Sequence, residues 1–256
     1  MDILTAAFLV GTGVVAGITA SIVGGAAVVL YPAAIAVGVP PQAAAVTVLV
    51  SLMPGIFLAA VADRSQLRPF NRNFISLIVI SITGAALGGA CLLLTPTRVF
   101  TTIVPLLLGF ATVIFAYSGK ISTYIHKRAA HRGHTIKFNL SSLKVLLPVS
   151  FYGGYFNAGV GILLLGIFSV ATDGDYRSAN VAKNLVSSLN GLAAGLVFVA
   201  QGAVHWPPTL ALMAGTIVGG LAGSYLARVI PQAIVRMLVV AVGAVLSVAF
   251  ARQYWF

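Results

Sequence analysis

The chain has 256 residues, 59% of them hydrophobic and 7% charged, with a formal net charge of +11 and a mean hydropathy of +1.05. Soluble domains carry about 25% charged residues, so this composition excludes a soluble fold and reads as an all-α, polytopic membrane protein. Glutamate is absent, and Asp2, Asp63, Asp173 and Asp175 all lie outside the middle of the apolar runs. That removes most enzyme chemistry and the carboxylate-based proton relays. The expectation is a non-enzyme with no catalytic residues, no cofactor and no metal site.

Apolar runs long enough to span, about 20 residues each, fall at roughly 3–36, 42–62, 73–95, 99–118, 141–172, 179–200, 208–227 and 233–251. The N-terminus lacks a basic leader and reads as the start of the first run, without a cleavable signal. As single straight helices the runs 3–36 and 141–172 would each exceed about 45 Å, against a hydrocarbon core of about 30 Å. Each carries a glycine-rich polar interruption, Gly17–Gly25 in one and Gly153–Gly161 in the other. Each is therefore expected to be a broken or re-entrant helix, which gives about 8 to 10 membrane segments. Cys91 stands alone in an apolar run, where it reads as a small packing residue.

The two interruptions belong to an internal repeat. Gly17 and Gly24 match Gly154 and Gly161 at an offset of 137, and Ile82, Gly84, Gly88 and Pro96 match Ile217, Gly219, Gly223 and Pro231 at an offset of 135. Duplicated halves of this kind are a transporter architecture. The expected division is a first transmembrane repeat at 1–118, a basic linker at 119–140 and a second, pseudo-symmetric repeat at 141–256. The G-x-x-x-G spacings at Gly84/Gly88 and Gly219/Gly223 are read as close helix packing.

Ten of the fifteen Lys and Arg residues lie at 63–72, at 119–144 or at Arg252. In a membrane protein such clusters mark cytoplasmic loops beside anionic lipid, not a nucleic-acid surface. The linker histidines His126, His131 and His134 have no acidic or cysteine partners at metal spacing and read as solvated. If the segment 141–172 crosses once, the repeats are parallel and Arg177, Arg228 and Arg236 lie outside. If it crosses twice, the repeats are inverted, and only Arg98 and Arg252 are external. The charge rule mildly prefers the second.

Polar groups at membrane depth are expensive and usually line a pathway or a site. Asn180, Lys183, Asn184, Ser187 and Asn190 recur at i, i+3, i+4, i+7 and i+10, which is one face of a helix. An ammonium with amide and hydroxyl donors suits an oxyanion stripped of water. The competing reading has Lys183 snorkelling to the interface and the amides stitching helices together. At the second interruption, Asn157 and Gly159 stand where an unwound helix would expose backbone N–H groups to an anion. In the first half the counterparts are Thr19, Ser21, Gly24 and Gly25, with Thr47 and Ser51 on the next helix, which Pro54 is expected to kink. Lys183 and Asn184 align with Val46 and Thr47, so the site is expected to be asymmetric.

These stretches resemble the TauE/SafE family of sulfite and organosulfonate exporters over nearly the whole chain. The matching pieces are Gly17-Ile-Thr-Ala-Ser-Ile-Val-Gly-Gly-Ala-Ala-Val-Val-Leu-Tyr-Pro32, Val39-Pro-Pro-Gln-Ala-Ala-Ala-Val-Thr47, Tyr152-Gly-Gly-Tyr-Phe-Asn-Ala-Gly-Val-Gly-Ile-Leu-Leu-Leu165, Ala179-Asn-Val-Ala-Lys-Asn184 and Gly202-Ala-Val-His-Trp206. Ser21, Val23 and Asn157 depart from the pattern, where the family usually has glycine. The resemblance implies a permease of the cytoplasmic (inner) membrane that exports a small anion such as sulfite or an organosulfonate. Its partners would be that anion and anionic lipid, with a homodimer allowed. Import, another small anion such as a carboxylate, and a non-transport membrane subunit stay open as alternatives.

Overall fold

The computed structural model describes residues 1–22, 24–62, 64–66, 72–131, 140–171, 176–226, 229 and 232–256. These form ten α-helices: α1 (Ile3–Ile22), α2 (Ala26–Ala36), α3 (Pro41–Ala62), α4 (Arg72–Leu94), α5 (Thr97–His131), α6 (Leu140–Tyr155), α7 (Val160–Ala171), α8 (Tyr176–Ala200), α9 (Trp206–Leu226) and α10 (Gln232–Trp255). No strand occurs among the described residues. In hydrocarbon every backbone polar group must be satisfied within the chain, and a helix does so locally. Val23, Asp63, Arg68, residues 132–139, Asp173, Asp175, Arg228 and Pro231, all singled out above, lie outside the described residues.

Among the described residues six helices are long and apolar enough to cross a membrane: Ile3–Ile22, Pro41–Ala62, Ile75–Leu94, Thr97–Ser118, Arg177–Ala200 and Ile234–Trp255. Their outer faces show the expected exposed aliphatic residues, for example Leu238, Val242 and Val245 on α10. The two over-long runs are each interrupted once, and the interruptions are narrower than the glycine patterns suggest. Helix α1 runs through Gly17 and ends at Ile22; α6 runs through Gly153 and Gly154 and ends at Tyr155. A glycine inside a helix weakens it by only about 1 kcal/mol, so the flanking helical hydrogen bonds prevail until a residue adopts a left-handed conformation. Those residues are Gly24 at φ +92° in the first break, and Asn157 at +64° and Gly159 at +80° in the second.

The register of helix packing sets the directions. Along α4, Gly84 meets Leu147 and Gly88 meets Phe151, so α6 runs the same way as α4. Ser81 meets Asn190 and Gly89 meets Ala194, so α8 does too. Helix α7 links the far end of α6 back to the start of α8 and therefore runs the opposite way. The same construction holds around α9: Gly13 meets Gly215 and Gly17 meets Gly219, while Thr47 meets Thr209 and Gly55 meets Gly220. Helices α1, α3 and α9 thus run together, and α2 runs against them. Helices α5 and α10 pair antiparallel, with Thr112 against Gly243 and Trp255 donating to the Thr102 carbonyl at 2.9 Å.

These approaches depend on missing side chains. A Cβ at Gly88 would lie 2.0 Å from the Phe151 carbonyl oxygen, one at Gly219 2.1 Å from that of Val14, and one at Gly154 2.0 Å from that of Ala85. Backbone contact of this kind is how helices associate in lipid, where burial of apolar surface gives little drive.

Candidate functional site

The two breaks meet. A Cβ built on Gly24 would fall 2.9 Å from the Gly161 Cα, and one on Gly161 the same distance from the Gly24 Cα. Beside this contact lies a cavity of about 20 Å³, lined by Ala20, Gly24, Ala26, Ala27, Leu52, Ile56, Asn157, Gly161, Lys183, Asn184 and Ser187. A volume of that size holds about one water molecule. Its walls come from the tips of α1–α2 and α6–α7 and from the facing sides of α3 and α8.

Helix α8 contributes Lys183, Asn184 and Ser187, one turn apart as their spacing requires. The Lys183 side chain is 1% exposed, and its ammonium nitrogen donates to the Ala20 carbonyl at 3.4 Å, close to the C-terminal end of α1. It points into the protein, away from any snorkelling path to the end of α8. The Asn184 amide oxygen, an acceptor, is buried without a partner, while Asn157 and Ser187 are half-buried at the cavity wall. Asn157 sits in the break itself. Its left-handed backbone is one that asparagine tolerates better than most residues with a side chain, which lets this position carry an amide where a glycine would bring none.

The remaining residues of the predicted set are elsewhere. Asn190 is one turn beyond Ser187 but closes a buried network with α4 and α6: Ser81 donates to its amide oxygen at 2.7 Å, and its amide nitrogen donates to the Ser150 hydroxyl at 3.3 Å. Asn180 is half-buried, has an unpartnered amide oxygen and does not line the cavity. In the first half, Ser21 donates within α1 and across to the Gly220 carbonyl, and Thr19 donates to the Ala16 carbonyl. Ser51 donates to the Val48 carbonyl, and Thr47 accepts from Thr209. Gly25 packs against Phe115 and Val239, and Gly159 against Ala111. Of the thirteen predicted positions, the cavity gathers Gly24, Asn157, Lys183, Asn184 and Ser187. The lining residues that sequence reasoning left out, Ala20, Ala26, Ala27, Leu52 and Ile56, are apolar and carry no signal in an apolar chain. Gly161 was visible only as part of the second interruption.

The family model described as "Sulfite exporter TauE/SafE" matches residues 9–250. The chain belongs to the TauE/SafE family. Similar proteins include a "Probable membrane transporter protein ORF9" from Sinorhizobium sp, 28% identical over 94% of this chain and 90% of its own length. A "Probable membrane transporter protein" from Haemophilus influenzae is 24% identical over 100% of this chain and 98% of its own length. The Escherichia coli K12 "Probable membrane transporter protein YfcA" is 24% identical over 91% and 84%. No solved structure matches. Membership of this transporter family, together with six apolar spanning helices, makes the chain a multi-pass membrane protein of the transport class.

Proposed function

We propose that the chain is a permease that exports a small anion, sulfite or an organosulfonate, across the cytoplasmic membrane by alternating access around this cavity. The observation that carries the reading is a buried ammonium beside an amide-bearing break. Lys183, 1% exposed, lines the cavity with Asn157, Asn184 and Ser187 and has a single long bond, to the Ala20 carbonyl at 3.4 Å. A buried charge needs a partner, and an oxyanion accepting from the ammonium, the asparagine Nδ2 groups and the Ser187 hydroxyl would supply it. Among the described residues no carboxylate lines the cavity to act as counter-ion. In a negative-inside cell, outward movement of an anion is favoured by about 2.3 kcal/mol per charge per 100 mV.

The proposed architecture is two inverted repeats, 1–118 and 141–256, joined by the basic linker 119–140. Each opens with a re-entrant hairpin, α1–α2 or α6–α7, followed by three crossing helices. The opposed directions of α1 and α6 support it: α1 runs with α3, α6 runs with α8, and α3 and α8 pack antiparallel, with Gly191 against Met53 and Gly195 against Val50. So does charge: the side where α3 ends and α6 begins gathers the basic loops, leaving Arg98 and Arg252 opposite. The moving bodies are not the sequence halves. Helix α9 is held by backbone contact to α1 and α3, and α4 to α6 and α8, so each bundle borrows one helix from the other repeat. The cavity lies where the two bundles face each other. At about 20 Å³ it represents a closed state, which opens to cargo when the bundles part.

Counterflow of sulfite, methanesulfonate and a carboxylate control in proteoliposomes tests this, with wild type against Lys183→Ala and Asn157→Ala. Anion flux that both substitutions reduce is expected. Unchanged flux in both would remove the site, and no flux of any anion would remove the function.

A further inference from the structure

We propose that the cavity selects singly charged anions over doubly charged ones; the inference rests on the transport reading above. Among the described residues Lys183 is the one charged side chain lining it. The other polar contributions, from Asn157, Asn184 and Ser187, are two amides and a hydroxyl, all neutral. The backbone adds little net charge, because at each break one helix ends and another begins. The negative ends of α1 and α6 therefore stand beside the positive ends of α2 and α7, and their partial charges of about half a unit offset in pairs. The pocket thus presents close to one positive charge, with part of it already directed at the Ala20 carbonyl.

A monoanion neutralises that charge. A dianion of the same shape brings one negative charge more than the walls can balance, and an uncompensated charge in a water-sized, apolar-walled cavity is strongly disfavoured. The first-repeat position that aligns with Lys183 is Val46, fully buried and apolar. Duplication has therefore not supplied a second cation to pair with a second negative charge. Selection by charge here is separate from recognition of the sulfur oxyanion, which the neutral donors serve.

The test is competition in proteoliposomes carrying the full chain, with radiolabelled methanesulfonate as the transported probe and unlabelled methanesulfonate or sulfate as competitor. The two offer similar tetrahedral oxygens and differ by one charge. Methanesulfonate is expected to compete at least tenfold better. Sulfate is more strongly hydrated in any case, so a second arm separates hydration from site charge: Asn184→Lys, which adds an ammonium to the cavity wall, is expected to narrow the ratio severalfold towards sulfate. Equal competition by the two anions in the wild type would overturn the inference while leaving transport standing. So would a folded, transporting Asn184→Lys with an unchanged ratio. If Asn184→Lys does not fold or does not transport, Ser187→Lys on the same wall is read in its place, with the same two outcomes. Absence of flux for methanesulfonate and for sulfite under every gradient would overturn the transport reading itself.

Discussion

Two clusters of polar side chains lie one turn apart on helix α8 and have opposite fates. Asn190 faces Ser81 and Ser150, and the three side chains close a network whose bonds run between 2.7 and 3.3 Å. Lys183, Asn184 and Ser187 face the tips of two broken helices, where the neighbours are Gly24, Gly161 and alanines. In membrane helices a buried polar group must find a partner or pay desolvation in full. At Asn190 the partners are protein. At Lys183 the walls are glycines, alanines, Leu52 and Ile56, and its one protein partner is the Ala20 carbonyl at 3.4 Å. On the proposed reading, the difference separates polar residues that hold helices together from polar residues that meet cargo.

That comparison can be broken or sharpened experimentally. The largest effect is expected outside both clusters, at the contacts that fix their frame. Gly88→Ala places a Cβ where the Phe151 carbonyl oxygen stands, 2.0 Å away, so α4 and α6 must separate. Little or no folded protein is expected on size-exclusion in detergent, with Gly11→Ala, whose Cβ would meet open space, as the recovered control.

Lys183→Ala comes next: flux is expected to fall by more than about tenfold, the equivalent of ~1.4 kcal/mol, with the melting temperature unchanged or raised. A lysine that merely supported the fold would show the reverse pattern, a lower melting temperature with transport per folded molecule intact. Asn190→Ala should give that reverse pattern. Losing its bonds costs roughly 1–3 kcal/mol of stability, readable as a lower melting temperature, while the flux of the folded fraction stays near wild type. A large transport defect there would merge the two clusters into one site. The smallest effect is at Gly38, where φ is +86° and a Cβ would meet nothing within 4 Å. Gly38→Ala is expected to cost about 1 kcal/mol through backbone conformation alone and to leave flux untouched.

Much of this was legible beforehand, and the misses have physical causes. The interruptions near Gly24 and Asn157 followed from run length and glycine density. Their extent was overestimated because glycines serve two purposes here. Gly17 and Gly154 stay helical and let another backbone approach, whereas Gly24 and Gly159 reverse the chain with positive φ. Composition cannot tell these uses apart, since both require only the absence of a Cβ. Helical periodicity placed Lys183, Asn184, Ser187 and Asn190 on a common face. It could not divide that face, because the division is made by α4 and α6, whose serines lie 109 and 40 residues away from Asn190. The first-half candidates Thr19, Ser21, Thr47 and Ser51 are hydroxyl residues, and such side chains can bond to carbonyls within a helix or across to a neighbouring one. Three of them donate to a carbonyl in their own helix, and Thr47 takes a neighbour's hydroxyl.

The sequence by itself determined the class of the molecule, the places where two helices had to break and the one helix that carries an ammonium among amides. Those properties are local: hydropathy over about 20 residues, spacing over a few turns, and the presence or absence of a side chain. Tertiary structure alone decided that the breaks touch at Gly24 and Gly161, that α9 packs on α1 and α3 while α4 packs on α6 and α8, and which polar groups on α8 found protein partners. Those are facts about residues from 40 to more than a hundred positions apart, brought together by backbone packing in a medium where every unpaired polar group is counted at nearly its full cost.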